Sequence, residues 1–259
     1  MKQLLNKWLK NSQLLNLKLI KRTIFKCIIF NPSCVLCTQN IEHNIKSAPP
    51  SIHAVCRACL NDLPWQPKTS CPQCGLASSG MVCGSCLNSP PDFDVTKAVF
   101  LYAYPIDALI LRYKYGNMLN LGDTFGEFLA EKINAEDCLK NIDLIIPMPM
   151  HPQRLKERGF NQALEIAKIL CKNHKEKLDY KSVERRTLTP PQASLPLKER
   201  VKNIKGAFKV NADLAGKRIA IFDDVMTTGA SLNELAKTLK KSSASHVECW
   251  VIARTLPHK

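Results

Sequence analysis

The residues best suited to chemistry lie between Arg218 and Ser231, in the string RIAIFDDVMTTGAS. Four apolar residues, Ile219, Ala220, Ile221 and Phe222, read as a buried strand. Two carboxylates, Asp223 and Asp224, follow at its end, and then come Thr227, Thr228, Gly229, Ala230 and Ser231. Small residues bare their backbone, and free N–H groups at a helix N-terminus attract a phosphate. Paired carboxylates can accept hydrogen bonds from two neighbouring hydroxyls. The combination suits a sugar phosphate. Adjacent acids directly after a buried strand are costly without a partner, which sets this string apart from an ordinary strand–turn–helix with Asp as its cap.

Two further segments carry charge in a pattern. PMPMHPQRLKERGFNQA places His151, Arg154, Lys156 and Arg158 within eight residues of one another, just after an apolar run at Ile142–Ile146. A cation cluster at a strand end can hold pyrophosphate, which needs several donors; the plainer alternative is a basic helix start on a solvated face. Thr187 to Lys205 reads TLTPPQASLPLKERVKNIK, with Pro190, Pro191 and Pro196 against regular structure. A loop of this length is a functional hood, with Gln192 and Arg200 as candidate contacts, or a floppy surface segment.

Twelve cysteines complete the inventory. Eight form four Cys-x-x-Cys pairs: Cys34/Cys37, Cys56/Cys59, Cys71/Cys74 and Cys83/Cys86. Each pair puts two thiolates on one turn, and two turns close a tetrahedron around zinc. Two structural zinc ions are expected, paired in sequence order in preference to an interleaved cross-brace. Cys27, Cys138, Cys171 and Cys249 lie outside the pairs and read as core or surface residues.

The elements that must position these groups follow an α/β alternation. Strands are expected at Lys97–Tyr104, Ile142–Ile146, Val183–Arg186, Ala207–Val210, Arg218–Phe222 and His246–Ala253. Helices are expected at Ile106–Tyr115, Phe125–Ile133, Asn161–Lys172 and Ser231–Lys241. This predicts a mostly parallel sheet with helices on both faces, preceded by a small zinc-ribbon module. In such sheets ligands bind beyond the carboxyl ends of the strands. Three regions result: a basic extension over 1–30, the zinc module over 31–90, and the α/β domain over 94–257, joined by the linker Asn-Ser-Pro-Pro-Asp-Phe at 88–93.

The 259 residues are 45% hydrophobic, enough for a sizeable core. The formal net charge is +15, and segment 151–210 carries fifteen Lys/Arg against six acids. Two zinc ions on eight thiolates would leave a charge of about +11. Such a basic excess points to polyanionic partners: nucleic acid, phosphorylated substrate or anionic membrane. Residues 1–30 hold seven Lys/Arg and no acid, and Leu5, Trp8 and Leu9 would share one face of a helix. They read as a segment packed on its own domain or an upstream extension, ahead of a membrane-surface role. With no secretory signal, no apolar run of membrane-spanning length and paired cysteines, the expected setting is reducing and cytoplasmic.

The string DDVMTTGAS resembles the phosphoribosyl-pyrophosphate (PRPP) loop of type I phosphoribosyltransferases. The whole set is more specific. The four cysteine pairs with LPWQPKTSCPQCG (63–75), RYKYGN (112–117), PMPMHPQRLKERGFNQA (147–163), TPPQASLPLKERVKNIKGAF (189–208) and DDVMTTGAS together look like the competence protein F family, over roughly residues 34–256. The resemblance implies a double zinc ribbon joined to a phosphoribosyltransferase-type α/β domain, and a link to uptake of single-stranded DNA in natural transformation. It implies that Asp223 and Asp224 are the catalytic pair and bind the ribose hydroxyls of Mg-PRPP. It further implies that Thr227 to Ser231 hold the 5′-phosphate, that His151, Arg154 and Arg158 hold pyrophosphate, and that Gln192 and Arg200 belong to the hood. Implied partners are PRPP or a related sugar phosphate, single-stranded DNA, and other competence proteins such as a DNA-uptake helicase. Ser231 stands where Thr is common, and residues 1–30 have no counterpart in the pattern. Two readings stay open: a phosphoribosyltransferase, or a non-catalytic zinc-dependent module that binds single-stranded DNA or a partner and keeps a regulatory PRPP pocket. Trp65 and Phe160 are candidate base-stacking residues for the second.

Overall fold

The structure is a computed structural model, and it describes residues 33–41, 54–116, 118–188 and 203–256. Residues 1–30 with Cys27, and the hood candidates Gln192 and Arg200, fall outside the described residues. The chain divides into two compact units, one ending at Asp62 and one beginning at Leu63. The first four-cysteine group lies in the first unit and the second in the second unit.

The second unit is built on a four-stranded sheet. Its strands are β1 (Val95–Leu101), β2 (Leu144–Pro147), β5 (Arg218–Met226) and β6 (His246–Arg254), in the order β1-β6-β5-β2. All three neighbouring pairs are parallel. Parallel strands covered on both faces read as continuous apolar runs. β5 buries Ile219 through Phe222, and β6 buries every residue from Val247 to Arg254. A second, antiparallel pair joins β3 (Val183–Arg185) to β4 (Phe208–Val210).

In the first unit a five-residue helix, α1 (Arg57–Asn61), follows Cys56, and in the second a matching helix, α2 (Gly84–Asn88), follows Cys83. The longer helices of the second unit are α3 (Ile106–Tyr115), α4 (Leu121–Ala135), α5 (Pro152–Arg158), α6 (Gln162–Leu170) and α7 (Ala230–Lys241). α4 buries Leu121, Phe125, Phe128, Leu129 and Ile133, a single stripe at helical spacing. It packs on α6 and on β1 and β6, while α7 packs on β5, β6 and β4. The α4–α6 approach depends on Gly126, where an added Cβ would stand 2.5 Å from Cβ of Ile169.

The expected elements are present, with one change that bears on function. β5 does not stop at Phe222 but runs on to Met226, so Asp223 and Asp224 sit inside a strand and not after it. The extension is supported from one side only. β6 continues to pair as far as Met226↔Arg254, whereas β2 ends at Pro147↔Phe222. Pro147 and Pro149 cannot donate to a ladder, and the backbone leaves after Met148 N–H reaches the Phe222 carbonyl at 2.7 Å. The acids therefore occupy a strand whose neighbour on one side has peeled away.

Candidate functional site

Consecutive strand residues face opposite sides of a sheet, and the two acids have different surroundings. Asp224 is buried, at 8% exposure, and accepts an ion pair from Lys114 of α3, with Nζ 2.8 Å from Oδ2. Burial alone would pull the Lys114 ammonium toward neutrality, but the Asp224 charge and hydrogen bond outweigh it and raise its pKa. Asp223 accepts the Asp224 backbone N–H at 2.9 Å. Its pKa is pushed up to about 7, first by burial and then by the Asp224 carboxylate, against the opposing charges of Lys114 and Arg185. The site thus holds one paired carboxylate beside one poised near neutrality.

The loop after β5 is shaped by Gly229, which adopts φ +78° at the N-cap of α7. Thr228 Oγ1 accepts the Ala230 N–H at 3.2 Å. A Cβ on Gly229 would come within 2.7 Å of Met226 Cε, so the turn favours glycine on two grounds. Thr227, Thr228, Gly229, Ala230 and Ser231 therefore connect the acid pair to the start of a twelve-residue helix.

The cation cluster is placed at the open end of β2. His151 caps α5, its Nδ1 accepting from Gln153 N–H at 3.2 Å. Arg154 pairs with Glu157 at 3.3 Å. Arg158 lies over the Tyr115 ring, 5.2 Å from its centroid, and donates to the Tyr115 hydroxyl at 3.3 Å. A cleft of about 660 Å³ opens here, lined by Pro149, His151, Phe160 and Arg185 among others. Asp223 and Asp224 do not line this cleft. Trp65 leans on Phe100 and Phe128, with ring centroids 4.7 and 5.7 Å away, and Phe160 meets Tyr113 edge-on at 5.6 Å.

Three site residues escaped the sequence reading. Lys114 lies in the RYKYGN string but carries no signal that it faces an acid. Arg185, on β3, is close enough to Asp223 and Arg154 for their charges to act on it. Arg254 ends β6 at 4% exposure, where an apolar run gives no warning of a buried guanidinium.

The cysteines form two four-thiol groups, Cys34/Cys37/Cys56/Cys59 and Cys71/Cys74/Cys83/Cys86, each with its sulfurs within 4.8 Å of one another. Cys37 Sγ lies 3.6 Å from Cys56 Sγ, and Cys74 Sγ lies 3.7 Å from Cys83 Sγ. A tetrahedron with Zn–S bonds of about 2.3 Å has edges of about 3.8 Å, so both groups fit zinc. The two share local geometry. Cys56 N–H donates to Cys34 Sγ and Cys83 N–H to Cys71 Sγ, each at 3.3 Å. Burial alone would raise the Cys34 and Cys71 thiols, yet backbone N–H groups outweigh it and lower them to about 6 and about 7. Such sulfurs are ready to bind metal as thiolates. With four thiolates each, the groups would leave no open coordination position, which suits structural zinc.

No model of a protein family matches the chain. Among curated proteins, the DNA utilization protein YhgH of Escherichia coli O6:H1 is 34% identical over 194 residues, covering 73% of this chain and 86% of that protein. The competence protein F of Haemophilus influenzae is 30% identical over 240 residues, covering 87% of this chain and 98% of that protein. The chain belongs to the competence protein F family. Competence protein F and this chain match over nearly the full length of the former. Among solved structures, a purine phosphoribosyltransferase from Pyrococcus horikoshii is similar at 19% identity and a TM-score of 0.31, over 51% of this chain and 82% of that one. Among the described residues no helix is long and apolar enough to cross a membrane.

Proposed function

We propose that this competence protein F relative binds Mg-PRPP at the end of β5 and acts in DNA uptake. The observation that carries the reading is the acid pair on a strand bared along one side, continuing through a glycine-led turn into α7. Asp223 and Asp224 would accept the ribose 2′- and 3′-hydroxyls, and the N–H and hydroxyl groups of Thr227 to Ser231 would donate to the 5′-phosphate. Arg154 and Arg158 would supply cations for the pyrophosphate, His151 would donate from Nε2 while its Nδ1 accepts from Gln153, and Mg²⁺ would arrive with the substrate. Transfer to an acceptor would build positive charge at the anomeric carbon, which neighbouring carboxylates stabilise. Calorimetry with PRPP tests the pocket. The double variant Asp223→Asn, Asp224→Asn should lose at least about tenfold in affinity, the equivalent of one charge-assisted hydrogen bond. Unchanged affinity removes the assignment.

A second reading, binding of single-stranded DNA, has its own observation. Tyr115 and Tyr180 are 69% and 52% exposed, and Arg158 and Lys181 stand over their rings. Aromatic faces paired with cations are what single strands track along. Oligothymidylate binding should weaken linearly in log salt concentration, and Tyr115→Ala should weaken it by about tenfold. Binding indifferent to both salt and the tyrosine counts against this reading.

A further inference from the structure

The Cys71–Cys74 turn does not stand apart from the sheet. Four successive carbonyls, from Pro72 to Gly75, each accept a hydrogen bond from elsewhere in the same unit. Thr96 N–H donates to Pro72 O at 2.8 Å, and Thr96 Oγ1 donates to Gln73 O. Arg254 Nε donates to Cys74 O at 2.8 Å, and Gln66 Nε2 donates to Gly75 O at 2.6 Å. The turn is thereby tied to β1 and β6, and Arg254 is the last residue of β6.

The same guanidinium reaches the phosphate loop. Arg254 Nη1 donates to Met226 O at 3.0 Å, to Thr255 O at 2.8 Å and to Thr227 O. Met226 ends β5 and Thr227 opens the loop, so one planar group spans a thiol-bearing residue and the first peptide of the 5′-phosphate cradle. A guanidinium offers five donors in a rigid fork, which is why it can fix two backbone segments at once. A buried charge also needs a counter-charge. Among the described residues Arg254 has no carboxylate ion pair; the groups whose charge would act on it are the sulfurs of Cys74 and Cys86, which metal binding would turn into thiolates. Four thiolates on one Zn²⁺ carry a net charge of about −2, so the filled site supplies that balance.

We propose that Arg254 is a positioning residue that couples the second four-cysteine site to the phosphate loop, so that zinc at Cys71, Cys74, Cys83 and Cys86 raises the affinity for PRPP and PRPP tightens that zinc. The proposal rests on the PRPP reading. With the metal bound, the Cys74 carbonyl and the thiolate charge hold the guanidinium in place, and the guanidinium holds the Met226 and Thr227 peptides. Without the metal the fork loses one anchor, and the loop amides lose their fixed aim. Coupling between two binding sites is reciprocal, each ligand changing the other's affinity by the same factor.

The test uses the full chain and two titrations. Zinc affinity is measured by competition with a zinc-selective chromogenic chelator, with and without saturating Mg-PRPP; the Cys86→Ser variant, which keeps the first thiol group, identifies the signal of the second. PRPP should tighten the second zinc by about tenfold, within the usual range of coupling between sites. Arg254→Lys keeps the charge but cannot fork. It should retain two zinc ions, bind PRPP about tenfold more weakly, and show no PRPP effect on zinc. Because PRPP can itself chelate zinc, an equal shift in Arg254→Lys marks that artefact and overturns the coupling. If the wild-type chain binds PRPP but its zinc affinity does not respond, the coupling is wrong while the pocket stands. If calorimetry finds no PRPP binding at all, the pocket reading fails and takes the coupling with it. If the lysine variant does not fold, a blank of chelator, zinc and PRPP without protein measures the chelation, and a native-protein shift no larger than that blank overturns the coupling.

Discussion

Lys114→Met is expected to destabilise the chain by about 3 kcal/mol, the lower end of the range for removing one partner of a buried ion pair. Asp224 is left at 8% exposure with no counter-ion at its Oδ2, beside a second carboxylate. The lower end applies because the Lys114 and Asp224 side chains keep 20% and 11% of their surface. Adding Asp224→Asn to Lys114→Met should restore most of the loss, because the uncompensated charge is then gone. Denaturant unfolding of the two variants measures this, and equal stability of Lys114→Met and the wild type would strip the ion pair of its role. The same cluster sets a pH dependence. Asp223 holds its proton up to about 7 when folded, against an ordinary value of 3.8. Between those two values the folded state binds more protons than the unfolded one, so stability falls as pH rises from about 4 to about 7. Lys114→Met removes a charge that opposes this shift and should carry the fall to higher pH, whereas Asp223→Asn should flatten it.

Stripping the metal is expected to have the largest effect of all. Metal analysis should find two zinc ions per chain, and a ratio well below two would refute the double-site assignment. Structural zinc contributes on the order of 10 kcal/mol to the fold around it. The two short helices have little apolar burial of their own to hold them. α1 buries no residue and α2 buries only Cys86, itself a ligand. Chelation should therefore expose the backbone of Arg57–Asn61 and Gly84–Asn88 to protease while the sheet of β2, β5 and β6 stays protected. Cys34→Ser and Cys71→Ser should each lower the zinc content by one, since each thiol is at most 1% exposed and is fixed by backbone N–H bonds.

Much of this was legible in the sequence because the signals were local. The helix expected at Ile106–Tyr115 is found with those bounds, as its apolar spacing and the flanking Pro105 and Gly116 require. The thiol groups could be read from spacing alone. Their kinship could not, because the gap between the two pairs is 18 residues in one group and eight in the other, while the shared feature is an N–H···S bond that spacing does not reveal. The end of β5 was misplaced because a pair of acids looks like a strand terminator, and only the length of β6 shows otherwise. Lys114 and Arg254 were missed for a common reason. A long cation in a helix or at a strand end is usually solvated, and its burial depends on partners about 110 and 28 residues away in the chain.

The small β3–β4 pair has a consequence for how the family can vary. Val183↔Val210 and Arg185↔Phe208 hold the two stems together, and Arg186 N–H meets the Ala207 carbonyl at 2.8 Å. The ends of the intervening stretch are thus clasped whatever lies between them. Lengthening such a stretch costs little, about 0.6 kcal/mol for each doubling. Its length is therefore nearly free of folding constraint, and insertions or deletions there should leave the stability of the sheet unchanged.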